Sequence, residues 1–140
     1  MDHISIETLG KLRAVGFTYP EYEHFINYGM VYYYNGDEYF IGGYSTGDFS
    51  ERDKEVAKYG EWLPDSSQLL SWLTDTAFSV TISVEDLFFS VQAIDTVDGT
   101  QYIGRDVTPA NALAKTIIKI CKANRRPYVP PIKPRLEIIP

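Results

Sequence analysis

Two histidines, one cysteine and a scatter of acidic side chains are the groups most able to support covalent or metal chemistry in this chain. Nucleophilic catalysis needs a base held within hydrogen-bond reach of a hydroxyl or thiol. The available bases are His3, at a terminus expected to fray, and His24, on a short helix among tyrosines. Cys121 falls on the apolar stripe of a helix and reads as a small buried hydrophobe; with no second cysteine it has no intramolecular disulfide partner. Asp95, Asp98 and Asp106 come nearest to a metal-ligand set, but Asp98-Gly99 is accounted for by turn chemistry. Gly42-Gly43-Tyr44-Ser45-Thr46-Gly47 has the glycines of a phosphate cradle without the lysine and following helix of a P-loop. Its backbone N–H groups, helped by Lys54 or Lys58, could still hold a small anion. The expectation is a protein with no catalytic residues, no metal site and no cofactor, which is not an enzyme.

Residues suited to binding are more prominent. Tyr32, Tyr33, Tyr34, Tyr39 and Tyr44 fall within thirteen positions, and tyrosine is favoured where a surface alternates between wet and buried. Asp48, Glu51, Asp53 and Glu55 follow on what reads as an exposed loop. Tyr32, Tyr34, Tyr39, Tyr44, Asp48, Glu51 and Asp53 are therefore the candidate binding surface. Residues 1–123 hold 18 Asp/Glu against 9 Lys/Arg, a net of −9, whereas residues 124–140 carry +3. An acidic body repels nucleic-acid phosphate, so the expected partner is a basic surface on a host or bacterial protein, with a small anionic ligand as the alternative. No apolar run approaches the roughly 20 residues that span a bilayer. The N-terminal residues lack a signal peptide's basic and apolar regions, and a cytoplasmic location without membrane contact is expected.

The elements that must position these groups read as an α+β domain over residues 1–124 with a proline-rich arm over 125–140. Ser5 caps a first helix with Ile6, Leu9 and Leu12 at helical spacing, stopped by Gly16. Thr18 to Asn27 reads as a second, short helix burying Tyr22, Phe25 and Ile26. Asn35-Gly36 sits between two aromatic runs as a type I′ hairpin turn, because both positions need φ > 0. Residues 42–61 read as a long loop. Asp65, with Gln68 three residues on, opens an amphipathic helix carrying Leu69, Trp72 and Leu73. From Phe78 the period switches to two, and Glu85-Asp86 and Asp98-Gly99, the latter as a second I′ turn, fold the chain into a three-stranded antiparallel meander with one apolar face. Thr108-Pro109 starts the last helix, with Leu113, Ala114, Ile117, Ile120 and Cys121 on one side and Lys115, Lys119 and Lys122 on the other. Five prolines from Pro127 onward give the arm an extended, polyproline-like reading, and its apolar residues call for a docking surface. The arm is expected to dock across another subunit or on the domain's own sheet, and the two edges of the meander with the aromatic face of the tyrosine hairpin predict a homo-oligomer.

Trp62-Leu63-Pro64-Asp65, Leu69-Leu70-Ser71-Trp72-Leu73 and Thr108-Pro109-Ala110-Asn111-Ala112-Leu113-Ala114 resemble small phage and prophage proteins of the ABA-sandwich type, in which a meander is followed by a "TP-x-x-A" helix. The likeness covers residues 62–124. It implies a phage-encoded accessory protein, often oligomeric, that acts in the host cytoplasm by binding, for instance by inhibiting a host or defence protein. It brings no catalytic residues.

Overall fold

Ser5 ends an N-terminal strap and starts the first helix of the computed structural model, which describes residues 2–17, 30–42 and 50–124. Helix α1 (Ile6–Ala14) is capped by Ser5 Oγ, which accepts the Thr8 N–H at 3.2 Å. It stops at Gly16, whose φ of 82° is the left-handed geometry that glycine adopts without strain. Strands β1 (Val31–Tyr34) and β2 (Asp37–Phe40) meet across Asn35-Gly36, with φ of 51° and 86° as a type I′ turn requires. The predicted helix over 18–27, the residues 43–49 and the arm over 125–140 lie outside the described residues.

The long loop expected over 42–61 is instead helix α2 (Glu51–Tyr59) followed by strand β3 (Glu61–Leu63). The helix is locally encoded by a capping box: Ser50 Oγ accepts the Asp53 N–H at 3.0 Å, and Asp53 Oδ2 accepts the Ser50 N–H at 3.3 Å. Strand β3 adds to the hairpin to give a sheet of order β2-β1-β3. Alternation places Val31, Tyr33 and Leu63 on the face toward the main core. Tyr32, Tyr34, Tyr39 and Trp62 face α2, where Met30, Ile41, Val56 and Ala57 complete a second small core.

Helix α3 (Ser66–Asp75) carries the predicted reciprocal cap, with Gln68 N–H donating to Asp65 Oδ1 at 2.8 Å and Asp65 N–H to Gln68 Oε1 at 2.9 Å. Strands β4 (Phe78–Glu85), β5 (Phe88–Asp95) and β6 (Gln101–Asp106) form the meander, order β4-β5-β6 and antiparallel throughout. The β5–β6 connection is not the expected I′ turn, because only Gly99 has positive φ. A four-residue loop closes there, with Gly99 N–H donating to Asp95 O at 2.8 Å. Helix α4 (Pro109–Asn124) packs on β5 and β6, flanked by α1 and α3, over a core of Leu12, Leu69, Trp72, Leu113, Ile117 and Ile120. The Asn111 N–H donates to Thr108 Oγ1 at 3.3 Å, so Thr108 caps α4 as its sequence suggests.

His3 does not sit on a frayed end. It bridges to Asp65, its Nε2 lies 3.2 Å from Glu38 Oε1, and the neighbouring Ile4 N–H donates to Pro64 O. Asp2 Oδ1 accepts the Ala110 N–H at 3.2 Å, which places a carboxylate at the positive end of α4. The N-terminal strap thus ties together the starts of α3 and α4.

Candidate functional site

Of the residues read as a binding surface from sequence, those that are described divide between buried and exposed positions. Tyr32 and Asp53 are only 3% exposed, and the expectation that Asp53 stands on an open loop is corrected by its place under the hairpin. Tyr39 donates its hydroxyl to Asp53 Oδ1 at 3.0 Å, Tyr34 donates to Glu55, and the Arg52 guanidinium lies 5.7 Å over the Tyr34 ring. The phenol pKa values of Tyr32, Tyr34 and Tyr39 are raised, against the opposing charge of Arg52 at the latter two. Burial is the first cause at Tyr32 and at Tyr39, where the Asp53 bond adds to it; at Tyr34 the bond to Glu55 leads. Much of the tyrosine cluster is therefore the cement between α2 and its sheet. Glu51 is exposed and faces Lys54 at 3.6 Å. Tyr44 and Asp48 lie outside the described residues.

Among the described residues no group of three or more His, Cys, Asp or Glu side chains comes together as a metal site would need. Asp95 and Asp98 accept N–H bonds from Val97 and Thr100 within their own turn. Cys121 is buried, on the stripe where its sequence placed it.

The basic residues are what the fold gathers. All nine Lys and Arg of residues 1–123 are described. Four lie elsewhere: Arg13 with Glu61, Arg52 over Tyr34, Lys54 with Glu51, and Lys58 over Tyr59. The other five, Lys11, Arg105, Lys115, Lys119 and Lys122, line one open cleft of about 580 Å³ between α1, β6 and α4. Its apolar lining is Ile103 and Ile118, with Gly104 of β6 where the strand meets α4.

Local rules explain each position. Lys115, Lys119 and Lys122 recur at i, i+4 and i+7 and so share one flank of α4. The opposite stripe is buried, which turns this flank toward the β6 edge. Gly104 lets the helix approach, because a Cβ there would meet Thr116 Oγ1 at 2.4 Å and Ala112 O at 2.6 Å. Lys115 Nζ bonds Arg105 O at 3.1 Å and Asp106 Oδ2 at 2.8 Å, and Lys119 donates to Ile103 O. Burial pushes the Asp106 carboxyl up, but the Lys115 bond, the Val107 N–H and the lysine charge outweigh it and hold the group below its usual range. Asp106 thus offsets one of the five cations, Lys115. Lys115 and Lys119 are anchored, while the side chains of Lys11 and Lys122 make no hydrogen bond or ion pair with another described residue.

The lysine run on α4 was visible in the sequence. Its meeting with Lys11, more than a hundred positions away, was not, since only packing of α1 on α4 creates it. Compared with known proteins, the chain matches no family model, no curated protein and no solved structure.

Proposed function

We propose that this protein is a non-enzymatic binding protein whose ligand is a small, multiply charged anion of nucleotide-like size, held in the lysine cleft. The observation that carries the reading is the convergence of five of the nine cations of an otherwise acidic body on one concavity. Like charges brought together repel by roughly 1 kcal/mol per pair even at water-like screening and 4 Å, so such a cluster is favoured when a counter-anion completes it. Lysines act as movable point charges suited to phosphate oxygens, without the forked geometry that arginine offers a planar carboxylate. A volume of about 580 Å³ lies within the range of small-molecule sites, and Ile103 and Ile118 offer aliphatic contact to the uncharged part of a ligand.

The resemblance over residues 62–124 makes a phage-type accessory protein the setting we favour, with sequestration of the anion as its mode of action. Inhibition of a host or defence protein through an acidic and tyrosine-rich face is the weaker reading, because Tyr32 and Asp53 are buried and Tyr34 and Glu55 are bonded to each other.

Calorimetric titration of the full-length chain with pyrophosphate and with ATP, at low ionic strength, tests the proposal. Binding in the micromolar range is expected, weakened about tenfold or more by Lys11→Glu or Lys122→Glu, since each reversal removes one favourable contact of about 1.4 kcal/mol. Absence of binding of either probe at ~1 mM, or binding indifferent to both reversals, would falsify it.

A further inference from the structure

The two edges of the meander are treated differently. Thr96 N–H donates to Ala77 O, and Ser79, Thr81 and Ser83 pair with Ile94, Gln92 and Ser90. Since the backbone groups of an antiparallel strand point alternately to either side, those of Ser79, Thr81 and Ser83 face β5. The N–H and C=O groups of Val80, Ile82 and Val84 then face outward along the edge of β4, which pairs with no other described strand. On the opposite edge, β6 turns the carbonyls of Ile103 and Arg105 outward, and these are taken by Lys119 and Lys115. Lysine along an edge is a standard guard against strand pairing. The β4 edge carries no such guard: Phe78–Val84 is FSVTISV, seven residues without a charge or a proline.

The side chains at this edge are also unusually bare. Phe78 is buried under the helices, but Ile82, Val84, Leu87 and Phe88 are 40, 68, 83 and 49% exposed. Ile82 and Val84 lie on one face, Phe88, paired with Glu85, on the other, and Leu87 in the turn between; at about 150–200 Å² per side chain they present roughly 400 Å² of apolar surface around this edge.

We infer that β4 pairs antiparallel with β4 of a second copy, joining two meanders into one six-stranded sheet. The occupant is argued from charge, area and symmetry. An acidic body disfavours close approach of another acidic surface except where the contact itself is neutral, and this strand is neutral across its whole outward-bonding stretch. A two-fold axis through Ile82 sets Ile82 against its equivalent and Val80 against Val84, so every outward N–H and C=O of these three residues finds a partner. The two patches and the paired backbones together bury on the order of 1,000 Å², near the lower limit for a specific interface. The chain's own segment over 125–140 fits the edge less well, since Pro127, Pro130, Pro131 and Pro134 have no N–H to donate. The inference is independent of the lysine cleft, which lies along the other edge.

Sedimentation equilibrium of the full-length chain at about 100 µM tests it. The expected mass is twice the 15.9 kDa of one chain. Ile82→Lys and Val84→Pro should each weaken association about 100-fold or more while leaving the thermal melt cooperative, because neither removes a hydrogen bond to β5. Hydrogen exchange of the unaltered chain gives a second readout: the Val80, Ile82 and Val84 amides should slow with rising protein concentration, and those of Ile103 and Arg105 should not. A monomeric mass, a dimer surviving both substitutions, or concentration-independent exchange at β4 would each overturn the inference. Ile138→Asp should leave the dimer intact; dissociation by that change would give the edge to the C-terminal segment instead.

Discussion

Gly104 is where a single hydrogen in place of a methyl group sets the distance between a helix and a sheet. Its Cβ would lie 2.4 Å from Thr116 Oγ1 and 2.6 Å from the Ala112 carbonyl, a backbone atom that cannot rotate away. Gly104→Ala should therefore destabilise by about 2–3 kcal/mol, as overpacking does, and should also open the lysine cleft by lifting α4; urea unfolding checks the first effect and ATP titration the second. Ala77 presents the reverse case. It follows the α3 C-cap with φ of 68°, a left-handed geometry that costs a side chain about 1 kcal/mol. Ala77→Gly should raise the unfolding free energy by roughly 0.5 kcal/mol once the added freedom of the unfolded chain is set against the relieved strain. An unchanged or lowered midpoint in urea would show that the strain is not there. Neither site was legible from one sequence, because a glycine in a strand and an alanine after a helix look ordinary until their neighbours are known.

At the scale of elements, α2 is the instructive case. Its sequence, ERDKEVAKY, offers little apolar periodicity, and only Val56 and Ala57 among its apolar residues are buried. What makes it a helix is the Ser50–Asp53 box at one end and the tyrosine sheet beneath it, and only the first of these has a short-range signal. The contact has a defined pH dependence. The folded phenols of Tyr32, Tyr34 and Tyr39 have raised pKa values, so the fold prefers their neutral forms. Their stabilising contribution is complete below the unfolded value near 10 and is lost as pH rises through the folded values. Alkaline titration should show these phenols ionising late, with α2 amides losing exchange protection in the same step; ionisation at the ordinary midpoint with α2 still protected would contradict this. Asp106 behaves oppositely. Its lowered pKa stabilises the folded state above the unfolded value near 4 and ceases to do so as pH falls through the folded one. Acid should thus loosen Lys115 and, with it, the guarded β6 edge.

At the scale of the whole molecule the two proposed contacts respond differently to salt. Raising ionic strength from about 0.05 to 0.5 M shortens the screening length to a few ångströms, so anion affinity at the lysine cleft should fall about tenfold or more. Pairing along the uncharged β4 edge should stay constant or strengthen, because screening relieves repulsion between two acidic bodies. A titration and a sedimentation series over the same salts would separate the two sites, and parallel loss of both would argue that they are one. The α+β class, the capped helices α1, α3 and α4, the Asn35-Gly36 hairpin and the meander were all legible in the amino-acid order, because caps, turns and periodicity are interactions between residues a few positions apart. The placement of charge was not. Residues 1–123 read as an acidic body at −9 with one lysine-bearing helix side, yet folding sets Asp53 beneath a hairpin and brings Lys11 beside that lysine face on a helix that starts almost a hundred residues later. Net charge is a sum over the chain, whereas a binding site depends on how charges are distributed in space, and that distribution is set by packing between elements distant in sequence.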